Sequence, residues 1–227
     1  MGNRETAGRC ILKTVEHGGF RVDYCSHPCV YEPEADTYLL ADALINDTFK
    51  NRVKPGSILE IGVGSGYLLS LSIRMWKPAL IVGTDINPYA AEAGLRVAEK
   101  DHAVQPIIYL CDRDECLREG LVFDVAYSNP PYLPVIDRFD DECSSLVAKS
   151  WGCGADCMLL FCKSLCRRGR LVYMVVSTVS PVERIIRCME ESGCDYSIVS
   201  REKFFFEEIM VLKGEKRVAD KGNPGWD

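Results

Sequence analysis

No stretch constrains the fold of this 227-residue chain more than residues 57–66, SILEIGVGSG. Ser57-Ile58-Leu59-Glu60-Ile61 is a short, mostly apolar run of strand length. The glycines at 62, 64 and 66 allow a sharp turn and a close backbone approach to a ligand. Residues 67–76 then have helix length and stop before Pro78. Ala79-Leu80-Ile81-Val82-Gly83-Thr84-Asp85 is a second apolar run. Two strands joined through a helix pair in parallel, because a parallel pair needs a long crossover. The unit therefore predicts a parallel sheet covered by helices on both faces.

The alternation continues along the chain. Residues 34–50 place Tyr38, Leu39, Ala41, Leu44, Ile45 and Phe49 near helical spacing, with an end expected near Pro55-Gly56. A helix over 88–100 carries Pro88 in its first turn, where proline is tolerated. Strands are expected over 106–111, 122–128 and 170–176, and helices over 158–166 and 182–192. Residues 196–200 and 204–213 read as two final strands at an antiparallel edge. The expected fold class is α/β, a seven-stranded, mostly parallel sheet with an antiparallel C-terminal edge. Residues 1–29 read as an N-terminal extension with one hairpin around His17-Gly18-Gly19. Residues 30–213 form the domain, and 214–227 read as a polar tail.

Composition narrows the partners. The net charge of −6 provides no basic surplus for a phosphate backbone, so nucleic acid is not expected as a partner. No apolar run reaches membrane-spanning length, and residues 1–10 lack the apolar core of a secretory signal. A cytoplasmic location is expected, with the nucleus as a second compartment. The 12 cysteines then read as free thiols. Cys25, His27 and Cys29 have no second ligand pair at a zinc spacing, so no metal site is expected. Cys153/Cys157 and Cys162/Cys166 stand four apart, the spacing of a packed helix face.

In a parallel sheet of this kind ligands lie at the carboxyl ends of the strands, near the switch in strand order. The candidate binding residues fall there. Glu60 stands two residues before Gly62, where it would repel a pyrophosphate and welcome a cation. Gly62 and Gly64 open the backbone beside it. Asp85 ends the second strand and can accept both hydroxyls of a ribose. Asp112 ends the third and can accept an adenine amine. Each has a plainer reading: a tight strand–helix turn, a helix cap, a surface acid. Together, and with the cationic preference of Glu60, they point to S-adenosylmethionine rather than a dinucleotide.

Residues 128–132, SNPPY, end the fourth strand. Pro130 and Pro131 stiffen the peptide and force Asn129 toward an extended backbone. An amide or exocyclic amino nitrogen is a poor nucleophile because its lone pair is delocalised. Acceptors for its N–H groups can aim that lone pair at a methyl group. The Asn129 side-chain oxygen and the Pro130 carbonyl are such acceptors, and Tyr132 offers a ring for stacking. A proline-rich loop with a capping asparagine is the plainer reading.

These residues resemble the class I S-adenosylmethionine-dependent methyltransferases with the N-P-P-Y motif, and more narrowly the HemK-like protein-glutamine methyltransferases in their short eukaryotic form. The resemblance is carried by VYEPEADTYLLADAL at 30–44, EIGVGSG at 60–66, TDINP at 84–88 and SNPPY at 128–132. SWGCG at 150–154 resembles a further stretch, with Cys153 in place of a glycine. Ala35 stands where the family has an acid, with Glu34 one earlier. The resemblance implies a Rossmann-like fold and cofactor contacts at Thr37, Glu60, Gly62, Gly64, Asp85, Asp112 and Asn129. It implies catalytic roles for Asn129, Pro130 and Tyr132, with Pro131 also at the substrate. It further implies conversion of S-adenosyl-L-methionine to S-adenosyl-L-homocysteine as a eukaryotic class-1 termination factor is methylated on the glutamine of its Gly-Gly-Gln loop. A small zinc-binding activator subunit is the implied partner in a heterodimer. Only about 30 residues precede the first motif, so the helical substrate-binding domain of the bacterial relatives is expected to be missing. N-P-P-Y also serves nucleic-acid adenine methyltransferases, so amino-methylation of a base stays open at this point. A non-catalytic scaffold is disfavoured by the intact motifs.

Overall fold

A computed structural model describes residues 9–100, 104–133, 142–152 and 154–217. Residues 1–8 of the extension, Cys153 and residues 218–227 of the tail lie outside them. The chain opens with the hairpin β1 (Ile11–His17) and β2 (Phe20–Ser26), turned at Gly18-Gly19 as the sequence suggests. Helix α1 (Ala35–Asn51) follows, closed by Arg52 in the left-handed conformation, so it ends before Pro55-Gly56. Then come β3 (Ser57–Ile61), α2 (Tyr67–Trp76), β4 (Leu80–Asp85), α3 (Pro88–Glu99), β5 (Ile107–Leu110) and β6 (Phe123–Ser128). The second half contains α4 (Glu142–Trp151), α5 (Gly154–Arg168), β7 (Gly169–Ser177), α6 (Val182–Glu191), β8 (Cys194–Lys203) and β9 (Glu208–Lys216).

Seven strands form one sheet in the order β5-β4-β3-β6-β7-β9-β8. The first five are parallel, and β9 and β8 join antiparallel. Strand order reverses between β3 and β6, so a crevice opens above their carboxyl ends. Side chains alternate between two cores, as the pleat requires. Ile58, Val125, Tyr127, Tyr173 and Val175 pack under α1 and α2. Leu59, Ala126, Val172, Met174 and Val176 pack under α5 and α6. The hairpin is tied to α2 by Asp23 N donating to Ser70 Oγ (2.9 Å) and by Arg74 to the buried Asp23 carboxylate (2.6 Å).

Three expectations are corrected. Helix α4 is not among the expected elements, although Cys143, Leu146, Val147 and Trp151 stand at helical spacing in ECSSLVAKSW. The last two strands reach further than expected, and their turn falls at 204–207. Ile209 there pairs with the last residue of β7, Ser177, so among the described residues the phenylalanines before it have no neighbouring strand on that side. The cysteines are not all free thiols. The fold pairs Cys10 with Cys25, Cys29 with Cys143, and Cys111 with Cys116, and Cys157 is also disulfide-bonded. Cys29 and Cys143 are 114 residues apart, a proximity that sequence spacing cannot reveal. Cys162 and Cys166 are buried free thiols in the α5 core, in keeping with the helical-face reading.

Candidate active site

The crevice holds a pocket with about 900 Å³ of empty space, its mouth included. Thr37, Glu60, Gly62, Gly64, Asp85, Asp112, Asn129 and Pro131 all line it. Pro130 is buried behind this wall and Tyr132 stands beside it, and neither lines the pocket.

The glycine turn is built by the strands that flank it. Gly62 N and Val63 N donate to Thr84 O (2.8 and 3.2 Å), and Gly64 N donates to Asp85 Oδ2 (2.9 Å). Gly62, Gly64 and Gly66 have φ of 82°, 54° and 81°, which L side chains rarely adopt. Nothing lies within 4 Å of where a Cβ on Gly62 or Gly64 would sit, so the pocket wall stays low. The other oxygen of Asp85, Oδ1, accepts from Asn87 N (2.8 Å), while Asn87 Oδ1 caps α3 through Tyr89 N (3.0 Å). Asp85 thus holds the turn itself, with lone pairs left over for a ligand. Asn87 is the helix cap, which disposes of the plainer reading of Asp85.

Two carboxyls share the pocket floor. Glu60 is 1% exposed, and among the described residues it receives one long bond, from Tyr127 Oη at 3.4 Å. Burial pushes its pKa well above the ordinary value, and the Asp85 charge adds to the rise. Burial raises Asp85 as well, opposed by its backbone donors. A buried acid with so little compensation is electrostatically suited to a cationic ligand. At the mouth, Asp112 accepts from Arg113 Nη1 (2.7 Å), and Ile86 is 63% exposed, an apolar plate against which a flat ring can lie.

The N-P-P-Y peptide is locked to the start of α1. The buried Asp36 carboxylate accepts from Thr37 N (2.6 Å), Thr37 Oγ1 (3.3 Å), Tyr31 Oη (3.1 Å) and Tyr132 Oη (3.3 Å). Burial and the nearby Asp36 charge raise both tyrosine pKa values, so both hydroxyls stay protonated donors. Thr37 has one hydroxyl proton and gives it to Asp36. Its lone pair therefore accepts from Asn129 Nδ2 (3.2 Å). This relay fixes which way the Asn129 amide points, leaving Asn129 Oδ1 buried and, among the described residues, with no hydrogen-bond partner. A buried acceptor is rarely left bare, and one in a pocket wall invites a donor.

Sequence reasoning missed Asp36, the hub of the relay, although it stands beside Thr37 in the same motif. It also missed Tyr31, Ile86, Arg113, Phe161 and the α4 residues Leu146 and Lys149, all of which line the pocket. The apolar residue after Asp85 was a usable signal for Ile86, and the helical spacing of Cys143, Leu146, Val147 and Trp151 one for the existence of α4, though not for its place at the pocket. Cys25 and Cys29 go to different disulfide partners, while His27 accepts from Cys29 N (3.1 Å) and stacks on Tyr89.

Comparison with known proteins fits this architecture. No protein-family model matches the chain. The structure of the E. cuniculi Mtq2–Trm112 complex, described as responsible for methylation of the eRF1 translation termination factor, superposes with a TM-score of 0.61 at 23% identity, over 83% of this chain and 99% of that one. The T. thermophilus 16S rRNA N2 G1207 methyltransferase RsmC, solved with AdoMet and guanosine, gives 0.69 at 20% identity, over 92% of this chain and 51% of that one. The fold is that of the class I methyltransferases. In sequence, the chain is 31% identical to a Methanocaldococcus jannaschii protein named as a protein N5-glutamine methyltransferase, over 82% of this chain and 91% of that protein. It is 30% identical to human methyltransferase HEMK2, over 82% and 90%. It is 28% identical to the Schizosaccharomyces pombe eRF1 methyltransferase catalytic subunit mtq2, over 87% and 92%. Identity at this level across nine-tenths of the archaeal and human proteins marks common descent, and the chain belongs to the HemK-like protein N5-glutamine methyltransferase family.

Proposed function

We propose that this protein transfers a methyl group from S-adenosylmethionine to the side-chain amide nitrogen of a glutamine in a polypeptide. The observation that carries the reading is the Oδ1 of Asn129, buried and without a hydrogen-bond partner among the described residues. It is an acceptor fixed in place before any substrate arrives, and a primary amide brings the matching N–H.

The pocket residues fit the cofactor. Glu60 would face its ammonium, Asp85 its ribose hydroxyls and Asp112 its adenine amine, with Thr37, Gly62 and Gly64 close to its tail. When bound it supplies a methyl group on a positively charged sulfur. The chain's own work is on the acceptor. Asn129 Oδ1 takes one N–H of the glutamine amide. That bond draws electron density toward nitrogen and aims its lone pair along the transfer line. The Pro130 carbonyl, the second acceptor of the motif, belongs to a residue behind the pocket wall, and its share in the bonding needs the amide to reach past Asn129 and Pro131. Pro131 walls the channel. The Tyr132 ring, held by its hydroxyl at Asp36, stacks on the amide plane. The methylated nitrogen gives its surplus proton to water, so no charged base is required.

The target we assign is the Gly-Gly-Gln loop of a class-1 termination factor of the eukaryotic type. Both the S. pombe relative and the E. cuniculi complex are described by their action on eRF1. The partner we assign is a small zinc-binding activator, with the cytoplasm as the compartment. The open edge strand β5 supports a partner, because Ile107, Tyr109 and Leu110 are 44%, 40% and 60% exposed along it. An unpaired apolar edge is a template for strand addition. The test is a labelled methyl-transfer assay with an intact termination factor, the same factor with its loop glutamine replaced, and duplex DNA, each with and without the activator. Label on the intact factor alone is expected. Label on DNA, or on the substituted factor, would overturn the reading.

A further inference from the structure

The turn between β8 and β9 carries a feature that neither the core nor the chemistry above uses. It spans residues 204–207 and is closed by Phe204 N donating to Glu207 O at 2.7 Å. Phe204 packs inward against the α1-side core. Phe205 and Phe206 point outward, 93% and 89% exposed, their rings edge to face with centroids 4.7 Å apart. Phenylalanine is normally a core residue, and two adjacent ones on a hairpin tip form an exposed apolar patch. The neighbouring loop adds to it. Thr178 N donates to Glu208 O and Glu208 N to Thr178 Oγ1, each at 3.0 Å, which sets the half-exposed Val179 beside the tip.

The sheet register puts this tip at the active-site end. Ser177, the last residue of β7, pairs with Ile209, and Met174 pairs with Ser128, the residue before Asn129. β9 lies two strands from β6, roughly 10 Å across at about 5 Å per strand. Ser177 Oγ bonds Glu207, pinning the turn to the end of β7. The Glu207 charge reaches Tyr132, and Tyr132 packs against the same core as Phe204.

We propose that Phe205 and Phe206, with Val179, form a docking edge for the protein substrate, gripping apolar side chains next to the loop that delivers the glutamine. The inference rests on the protein-amide reading of the site. A polypeptide is favoured because the edge lies at the same end of the sheet as the catalytic crevice, within reach of a protein that fills that crevice. The charge also selects for it. The tip runs Arg201-Glu202-Lys203-Phe204-Phe205-Phe206-Glu207-Glu208, three acids against two bases, and that balance opposes a phosphate backbone.

The test compares the full chain, with its activator where activity needs one, with Phe205→Ser/Phe206→Ser and Phe205→Leu/Phe206→Leu. Circular dichroism and S-adenosylmethionine affinity report folding. The double serine variant is expected to raise KM for the termination factor tenfold or more with kcat within twofold, and to weaken equilibrium binding of that factor by a like factor. The leucine variant should recover most of both. Unchanged KM and binding in the serine variant would overturn the proposal, and so would a loss confined to binding of a single-stranded RNA probe. If the unaltered chain transfers no methyl group to the factor, the proposed reaction fails separately. The binding comparison then still decides, since equal or absent binding in both proteins removes the docking edge.

Discussion

In the proposed reaction Asn129, Asp85 and Glu60 divide the work of the site, and each has its own expected signature. Asn129→Ala removes the preset acceptor. It should lower kcat by about 10²–10³-fold, the scale for a lost transition-state hydrogen-bond partner, while calorimetric affinity for S-adenosylmethionine changes little. Asp85→Ala should act the opposite way. It removes a carboxylate that both holds Gly64 N and is placed for a ribose, so cofactor affinity should fall by about 10²-fold or more. Unchanged affinity would remove Asp85 from the cofactor site. Glu60 is expected to set the pH dependence of cofactor binding. Its carboxyl holds a proton above the ordinary range in the empty pocket, whereas a cationic ligand needs the carboxylate. Cofactor affinity should therefore rise with pH through that raised pKa, and binding should release protons, read as a dependence of the binding heat on buffer ionisation. The stability sign follows. A raised carboxyl pKa means the empty protein loses stability as pH rises from about 4.5 toward the folded value. Glu60→Gln should stabilise the empty protein at neutral pH and weaken cofactor binding, in one thermal-shift experiment with and without ligand.

Among the elements, the join between α5 and the segment before β6 depends on one buried acid. Asp114 is 1% exposed and accepts from Ser164 Oγ (2.6 Å), Arg167 Nη2 (2.6 Å) and Arg168 Nε, while Arg168 also donates to the carbonyls of Arg118 and Leu117. The arginines hold its pKa down at about 2 against burial. That stability is present above about 3.8 and lost as pH falls toward 2, and amounts to about 2 kcal/mol at 1.4 kcal/mol per pH unit. Asp114→Asn should cost about 3–5 kcal/mol at neutral pH, because Arg168 is left buried without its counter-charge. In urea unfolding the gap between variant and parent should narrow below pH 3. None of this clamp was legible in sequence, since its acid and its bases are more than 50 residues apart. The strands around the site were legible, because Ser57–Ile61 and Leu80–Asp85 are apolar runs closed by glycine turns or acids. The position of the β8–β9 turn was not, because Phe204, Phe205 and Phe206 look alike in sequence and only the end of β7 decides which one turns inward. Thr37 and Asn129 could be named in advance, but the direction of the Asn129 amide depends on Asp36, across 93 residues.

For the molecule as a whole, the sheet has two different borders. One ends at β8, the outer strand of the β8–β9 hairpin, where Tyr196 and Ile198 are 41% and 36% exposed. The other ends at β5, which has no outer neighbour among the described residues and carries three exposed apolar side chains. Alone at micromolar concentration the chain should self-associate, seen by light scattering, and co-production with the activator should give a monodisperse heterodimer. Ile107→Lys/Leu110→Lys should make the lone chain monomeric and abolish the heterodimer. A monodisperse, fully active lone parent chain would refute the assignment of this border.

In the proposed reading, the Asn129 amide, oriented by Thr37 and Asp36, would also inspect the target. Glutamine decays by deamidation to glutamate, a change of one atom and one charge. A glutamate at the transfer position would set an oxygen lone pair against the Asn129 oxygen and add a third negative group near Glu60 and Asp85. The methyl mark would then be confined to copies of the target whose glutamine is chemically intact, and would serve as a certificate of that integrity as well as a modification.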